Sequence, residues 1–374
     1  MPVSARREAK PSGGRFEPGA TRISQGLEKL GKRVGKCARA GSHPLLAALA
    51  LILAPPAVAK PDSVKFREVT FTGYTPLASA AELARRTLTP LDAGGLKVQP
   101  GQQFIDLGSE QFIMRVPATP PSGRFGVLVF IPPWNDGRVP EGWAPALDRF
   151  GFIFVAALRS GNDQDIMGRR EPLAILAADN VADLYPVDRD RILVGGFSGG
   201  SRVAMRLALA YPDLFRGALL DAGSDPIGNR VVPLPPRDLF DRFRQTSRVA
   251  YVTGALDEAS LQLDVESILS MRRWCMSNIS ARRVPGLGHD LIDGSALATA
   301  LTQLLRPPAD AARTASCAAR TVAGMQSKLD EAARLAGSDP RAAQGLVERI
   351  DHEYGGLAVP RLTDLARRLA DGRR

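Results

Sequence analysis

The chain has 374 residues, enough for one large domain with an appendage or for two domains, and its hydrophobic content of 44% is that of a globular protein. The net charge of +10 invites a nucleic-acid partner, but the distribution argues against one. Residues 1–59 hold ten Lys/Arg and three Glu, a net of +7, which leaves only +3 for the other 315 residues.

The first segment reads as an export signal. Lys29, Lys32, Arg33, Lys36 and Arg39 form a basic region, Leu45 to Ala54 is an unbroken apolar run of ten, Pro55-Pro56 ends it, and Ala57-Val58-Ala59 fits a small-x-small cleavage site. Ten residues are short for a bilayer span, so a cleaved signal is expected over a stable membrane anchor, with a periplasmic or secreted product. The long basic region is also consistent with an over-extended start, Val34 being one alternative. Arg6-Arg7 lies far from the apolar run, as a twin-arginine signal would not, and Cys37 precedes it, where a lipoprotein cysteine would not stand. Cleavage after Ala59 leaves two cysteines, Cys275 and Cys317. An even pair in an exported chain points to one disulfide, tying the end of the sheet domain to the carboxyl-terminal tail.

From residue 60 the elements follow in order. A helical stretch is expected near Ser79 to Thr87. Strand-like runs recur at Gln111–Val116, Gly126–Ile131, Gly151–Ala157, Arg191–Gly195, Gly217–Asp221, Arg248–Thr253 and Ser280–Val284. Helix-forming stretches at Glu171–Leu184, Arg202–Tyr211 and Leu261–Asn278 separate most of the later ones, and Ser295–Leu305 follows the last. Strands alternating with helices predict an α/β domain over 60–306 with a mostly parallel sheet, whose ligands bind beyond the carboxyl ends of the strands. Arg306-Pro307-Pro308-Ala309 breaks the pattern. Beyond it, 307–374 is expected to be a helical extension with helices near 311–336, 340–353 and 360–371, either part of a lid or a stabilising appendage.

Between the run Ile192-Leu193-Val194-Gly195 and the helix from Arg202 stands Gly196-Phe197-Ser198-Gly199-Gly200. Strand, Gly-x-Ser-x-Gly, helix is the setting of a nucleophile elbow, although the five residues alone could be an ordinary turn. A serine hydroxyl needs a base, and the base an orienting acid. Of three histidines, His43 leaves with the signal and His352 lies in a charged tail helix. His289, in Gly286-Leu287-Gly288-His289-Asp290 directly after the last strand, is placed to reach Ser198. The acid is expected after the penultimate strand, at Asp257, with Glu258 and Asp225 as alternatives; Asp257 could also be a plain helix cap. The loop from Leu158 to Asp165 should face the same pocket, where Arg159 or Asn162 would meet substrate or solvent.

The stretch Val187-Asp188-Arg189-Asp190-Arg191-Ile192-Leu193-Val194-Gly195-Gly196-Phe197-Ser198-Gly199-Gly200 resembles the elbow region of α/β-hydrolases. It is most similar to polyhydroxybutyrate-depolymerase-like and feruloyl-esterase-like members and to prolyl-oligopeptidase-type catalytic domains. Tyr211-Pro212-Asp213-Leu214-Phe215-Arg216-Gly217 matches the helix end and strand entry that follow. The resemblance covers about residues 104–306 and implies an α/β-hydrolase fold and a serine esterase that needs no metal or cofactor. Its partner would be a small or polymeric ester. A peptidase, or an inert binding protein on the same fold, are the alternatives. One departure stands out. The family often carries His-Gly after the strand that supplies half of the oxyanion hole; here the place reads Phe130-Ile131-Pro132-Pro133-Trp134-Asn135-Asp136-Gly137. Prolines have no N–H to donate, so the expected oxyanion pair is the Trp134 and Gly199 backbone N–H groups. Alternatively, Trp134 only packs against the elbow.

Overall fold

The computed structural model describes residues 66–371 except 121–122, 137–139, 141 and 308–310. The expected export segment, 1–59, lies outside the described residues. A short strand β1 (Arg67–Val69) leads into helices α1 (Ala80–Thr87) and α2 (Pro90–Gly95), then strands β2 (Phe112–Arg115) and β3 (Phe125–Ile131). There follow α3 (Ala144–Phe150), β4 (Phe152–Ala157), α4 (Glu171–Leu184), β5 (Val187–Phe197), α5 (Gly199–Ala210), β6 (Gly217–Asp221), α6 (Arg237–Thr246), β7 (Arg248–Gly254), α7 (Glu258–Arg273), β8 (Ile279–Val284) and α8 (Gly294–Leu304). The tail forms α9 (Ala311–Ser338), α10 (Pro340–Tyr354) and α11 (Arg361–Asp371).

The eight strands make one sheet in the order β1-β2-β4-β3-β5-β6-β7-β8. Only the β1–β2 and β2–β4 pairs are antiparallel; all pairs from β4 to β8 are parallel. Side chains alternate between the two faces, as the two-residue strand period requires. On one face Val127, Val129 and Ile131 of β3, Ile192 and Val194 of β5, and Val249 and Tyr251 of β7 join a core closed by α4 and α5. On the other, Leu128, Phe130, Leu193, Leu219, Ala250 and Val252 pack with Trp143, just before α3, Leu147 of α3, and Leu297 and Leu301 of α8. Burial on both faces explains why β3 reads Phe-Gly-Val-Leu-Val-Phe-Ile, a continuous apolar run.

The tail helices extend the core of the first face outward. Met325, Leu329 and Ala332 of α9, Leu346, Val347 and Ile350 of α10, and Leu362, Leu365 and Leu369 of α11 recur at helical spacing and join the core of Phe240, Phe243 and Trp274. Asp351 Oδ1 accepts the Leu91 N–H, and Tyr354 meets Trp274 edge-on at 5.7 Å. A side chain at Gly356 would strike the Pro235–Pro236 backbone. These contacts go to α2, α6, the chain before α6 and Trp274 at the carboxyl end of α7. Cys275 and Cys317 are joined as a disulfide, their Cα atoms 5.7 Å apart, linking the end of α7 to α9.

Several elements differ from expectation. β1, α2, α3 and α6 were not expected, and α7 starts at Glu258 rather than Leu261 because Asp257 caps it, accepting the Ser260 N–H at 3.2 Å. It stops at Arg273 rather than Asn278, where Cys275 turns into the left-handed region at φ 69°. α5 starts at Gly199 rather than Arg202, so the glycines of the elbow form its first turn.

Candidate active site

β5 and α5 meet at Ser198, whose φ of 54° and ψ of −120° lie where a residue with a side chain is strained. Three close approaches hold that turn. A Cβ on Gly196 would collide with the Gly200 backbone, one on Gly200 with the Ile131 carbonyl oxygen, and one on Gly223 with the Ser198 carbonyl. The Ser198 N–H donates to Asp221 O at 2.8 Å, pinning the elbow to the end of β6. The serine is thus raised at the carboxyl edge of the sheet, beside the loop that leaves β3.

The loops after β7 and β8 bring the other two residues to it. His289 Nε2 lies 3.0 Å from Ser198 Oγ, and His289 Nδ1 lies 2.6 Å from Asp257 Oδ2. Asp257 therefore caps α7 with one oxygen and meets the imidazole with the other. Burial pushes its carboxyl up, but the hydrogen bonds from His289 and Ser260 outweigh this and hold it below the usual aspartate value. Ser260, on the first turn of α7, also places its hydroxyl 3.4 Å from Nδ1 while donating to Ala222 O. The alternatives for the acid lie elsewhere: Glu258 is exposed on α7, and Asp225 pairs with Arg202 at 3.5 Å. His352 is exposed on α10. The His289 side chain is 48% exposed, so the relay opens to solvent.

Beneath the relay lies Asp221, fully buried. Its Oδ2 accepts the Ile292 N–H at 3.1 Å, so the strand that pins the elbow also pins the His289 loop. Burial raises its carboxyl well above the usual value. Asp264 of α7 accepts the hydroxyls of Ser224 and Thr253, each at 2.6 Å, and ties the ends of β6 and β7 together. Neither role is legible in the sequence, because each needs the strand order.

Gly199 is the first residue of α5, so its N–H has no partner within the helix and sits at the end that favours negative charge. The loop 132–136 lies across from it. Both proline carbonyls are turned inward: Pro132 O accepts Arg170 Nη2 and Pro133 O accepts the Asn162 N–H, each at 3.0 Å. Arg170 is buried, and its Nε also holds Ser160 O at 3.0 Å; burial pulls the guanidinium down to about 10. Asn135 completes the latch by accepting the Gly161 N–H at 2.9 Å and donating to Asp163 at 2.8 Å. The indole of Trp134 lies 6.2 Å from the Phe197 ring. Arg159 is drawn away to Ser109 O and Glu110. Among the described residues no three or more His, Cys, Asp or Glu side chains are grouped as a metal would need.

Strand order, elbow and the chain order Ser198, Asp257, His289 are now together. The chain has the α/β-hydrolase fold. No family model matches it, and no curated protein matches it. Among solved structures it is similar to S-formylglutathione hydrolase from Staphylococcus aureus, at 14% identity and a TM-score of 0.40, over 53% of this chain and 93% of that one. It is similar to the poly(3-hydroxybutyrate) depolymerase from Bordetella parapertussis at 18% identity and a TM-score of 0.38, over 56% and 88%. It is also similar to Porphyromonas gingivalis dipeptidyl peptidase 4 at 14% identity and a TM-score of 0.39, over 52% of this chain but only 34% of that one. The fold assignment rests on this chain's own sheet and elbow rather than on these likenesses.

Proposed function

We propose that this chain is an exported serine hydrolase acting on carboxylic esters, with Ser198 as nucleophile, His289 as base and Asp257 as the orienting acid. The observation that carries the reading is the unbroken relay from Asp257 through His289 to a serine held at positive φ, with separations of 2.6 and 3.0 Å. In the reaction, Ser198 Oγ bonds to the ester carbonyl carbon while its proton passes to His289 Nε2. The carbonyl electron pair moves to oxygen, which the Gly199 and Trp134 N–H groups receive. Collapse breaks the bond to the alcohol, which takes the proton from His289, and leaves an acyl-serine. Water repeats the sequence and frees the acid. Asp257 holds Nδ1–H so that Nε2 faces the serine unprotonated.

A fluorophosphonate probe tests the reading. The folded wild type should be labelled at Ser198 and the Ser198→Ala variant should not; an unlabelled wild type, or equal labelling of both, sinks it. Turnover of p-nitrophenyl esters against matching p-nitroanilides then separates esterase from peptidase.

Export is supported by the basic and apolar pattern of 29–59 and by the Cys275–Cys317 disulfide, a bond kept in oxidising compartments. No helix among the described residues is long and apolar enough to cross a membrane. The intact mass of the exported protein should correspond to a chain beginning at Lys60 and lacking two hydrogens. A mass that retains the first 59 residues would refute cleavage, and one with both thiols free would refute the bond.

A further inference from the structure

The loop after β4 carries an amide that makes no hydrogen bond among the described residues. Asn162 is fixed at its root, where its N–H donates to Pro133 O. Its side chain lies over the elbow. A Cβ built on Gly199 would come within 2.7 Å of Asn162 Cγ and 2.9 Å of Nδ2, and nearer still to Oδ1. The residue is exposed, and among the described residues its amide makes no hydrogen bond. The polar side chains around it are engaged: Asn135 with Gly161 and Asp163, Gln164 with Asp163, Arg159 with Glu110, and Arg170 with two backbone carbonyls. A primary amide offers two N–H donors at one end and an acceptor at the other, and a half-turn about its last torsion exchanges them. Among the described residues no hydrogen-bond partner of the Asn162 amide opposes that turn. Meanwhile the β3 loop opens with two residues that can donate nothing, Pro132 and Pro133, whose carbonyls are bonded to Arg170 and to the Asn162 N–H.

We propose that Asn162 is a catalytic residue, donating from Nδ2 to the oxyanion that forms opposite Ser198, beside the Gly199 N–H. The inference rests on the serine-hydrolase reading above. As Ser198 Oγ bonds to the carbonyl carbon, the π electrons move to oxygen, and the amide N–H donates a hydrogen bond to that oxygen without giving up its proton. When the intermediate collapses, the electrons return and the bond weakens. Charge on that oxygen is greater in the transition state than in the bound ester, so the contribution falls on kcat rather than KM.

The test compares wild type with Asn162→Ala and Asn162→Asp on p-nitrophenyl butyrate, after fluorophosphonate labelling of wild-type Ser198 has been checked. The Ala variant should lose about 10²–10³ in kcat with KM little changed, the loss typical of one oxyanion donor. Its Ki for a trifluoromethyl ketone, which forms the same oxyanion, should rise by a similar factor. Asn162→Asp keeps the shape but replaces the donor by a negative charge, and should fall at least as far. Equal melting temperatures would exclude a folding defect. Unchanged kcat in the Ala variant, a loss confined to KM, or full activity in Asn162→Asp overturns this role alone. An unlabelled wild type overturns it together with the hydrolase reading.

Discussion

Ser198→Gly is expected to abolish turnover and yet raise the stability of the fold. The two effects come from the same residue by different routes. Loss of the proposed nucleophile should lower kcat by about 10⁶, leaving only what the oxyanion donors and binding supply over water. The backbone argument is separate. Ser198 sits at φ 54° and ψ −120°, a region that costs a residue with a Cβ on the order of 1–3 kcal/mol and costs glycine almost nothing. Glycine also gives the unfolded chain more freedom, which offsets about 0.4–1 kcal/mol of that gain. The net expectation is a stabilisation of about 1 kcal/mol, read as a higher urea midpoint with an unchanged slope. Ser198→Ala removes the hydroxyl but keeps the Cβ and the strain, so it should be equally inactive and no more stable than wild type. If the Gly and Ala variants share one midpoint, the strain at the elbow is not real. If Ser198→Ala keeps measurable wild-type-like turnover, Ser198 is not the nucleophile.

What could be read from the sequence, and what could not, divides by distance along the chain. β6 is expected at Gly217–Asp221 and observed there, and the other long strands agree within a few residues, because each is a local apolar run bounded by turn residues. β1 has three residues and exists only through its pairing with β2, so no local pattern marks it. α6 did carry a signal. In Arg-Asp-Leu-Phe-Asp-Arg-Phe-Arg-Gln-Thr the buried Leu239, Phe240 and Phe243 share one helical face, but five charges around them obscure it. Ser198, Asp257 and His289 could be named as candidates because each follows a strand in a parallel sheet, and such loops converge on one edge. Asn162, in the loop after β4, is placed at the same edge by that rule but with no role, whereas Arg170 and Asp221 cannot be placed in this way. Arg170 reaches Pro132 across 38 residues through the adjacency of β3 with β4, and Asp221 reaches Ile292 across 71, from the end of β6 to the loop after β8, contacts that depend on strand order. Asp257 shows the overlap of the two kinds of information. The sequence allows either a helix cap or a catalytic acid at this position, and in the structure it is bonded in both directions.

That double engagement makes Asp257→Asn the most discriminating substitution after Ser198. Asparagine is as good an N-cap as aspartate, so an oxygen can go on accepting the Ser260 N–H and α7 should start as before. The atom facing His289 then becomes an NH₂ group, a donor where the carboxylate had been an acceptor. Imidazole can satisfy it only by presenting a bare Nδ1, which moves the proton to Nε2. Nε2–H then faces Ser198 Oγ and can no longer take its proton. The expected loss is about 10⁴ in kcat with little change in KM. Stability should respond differently. The wild-type carboxyl is held below its usual value, so it stabilises the fold above the unfolded aspartate pKa, and that contribution disappears as pH falls through the lowered folded value. Any stability gap between wild type and Asp257→Asn should therefore close in acid and be fully open at neutral pH. Asp257→Ala removes the cap as well and should cost about a further 1 kcal/mol, independent of pH over that range. Turnover of Asp257→Asn within tenfold of wild type would take the acid role from Asp257. It would turn the search to Ser260, whose hydroxyl is the other group within reach of His289 Nδ1.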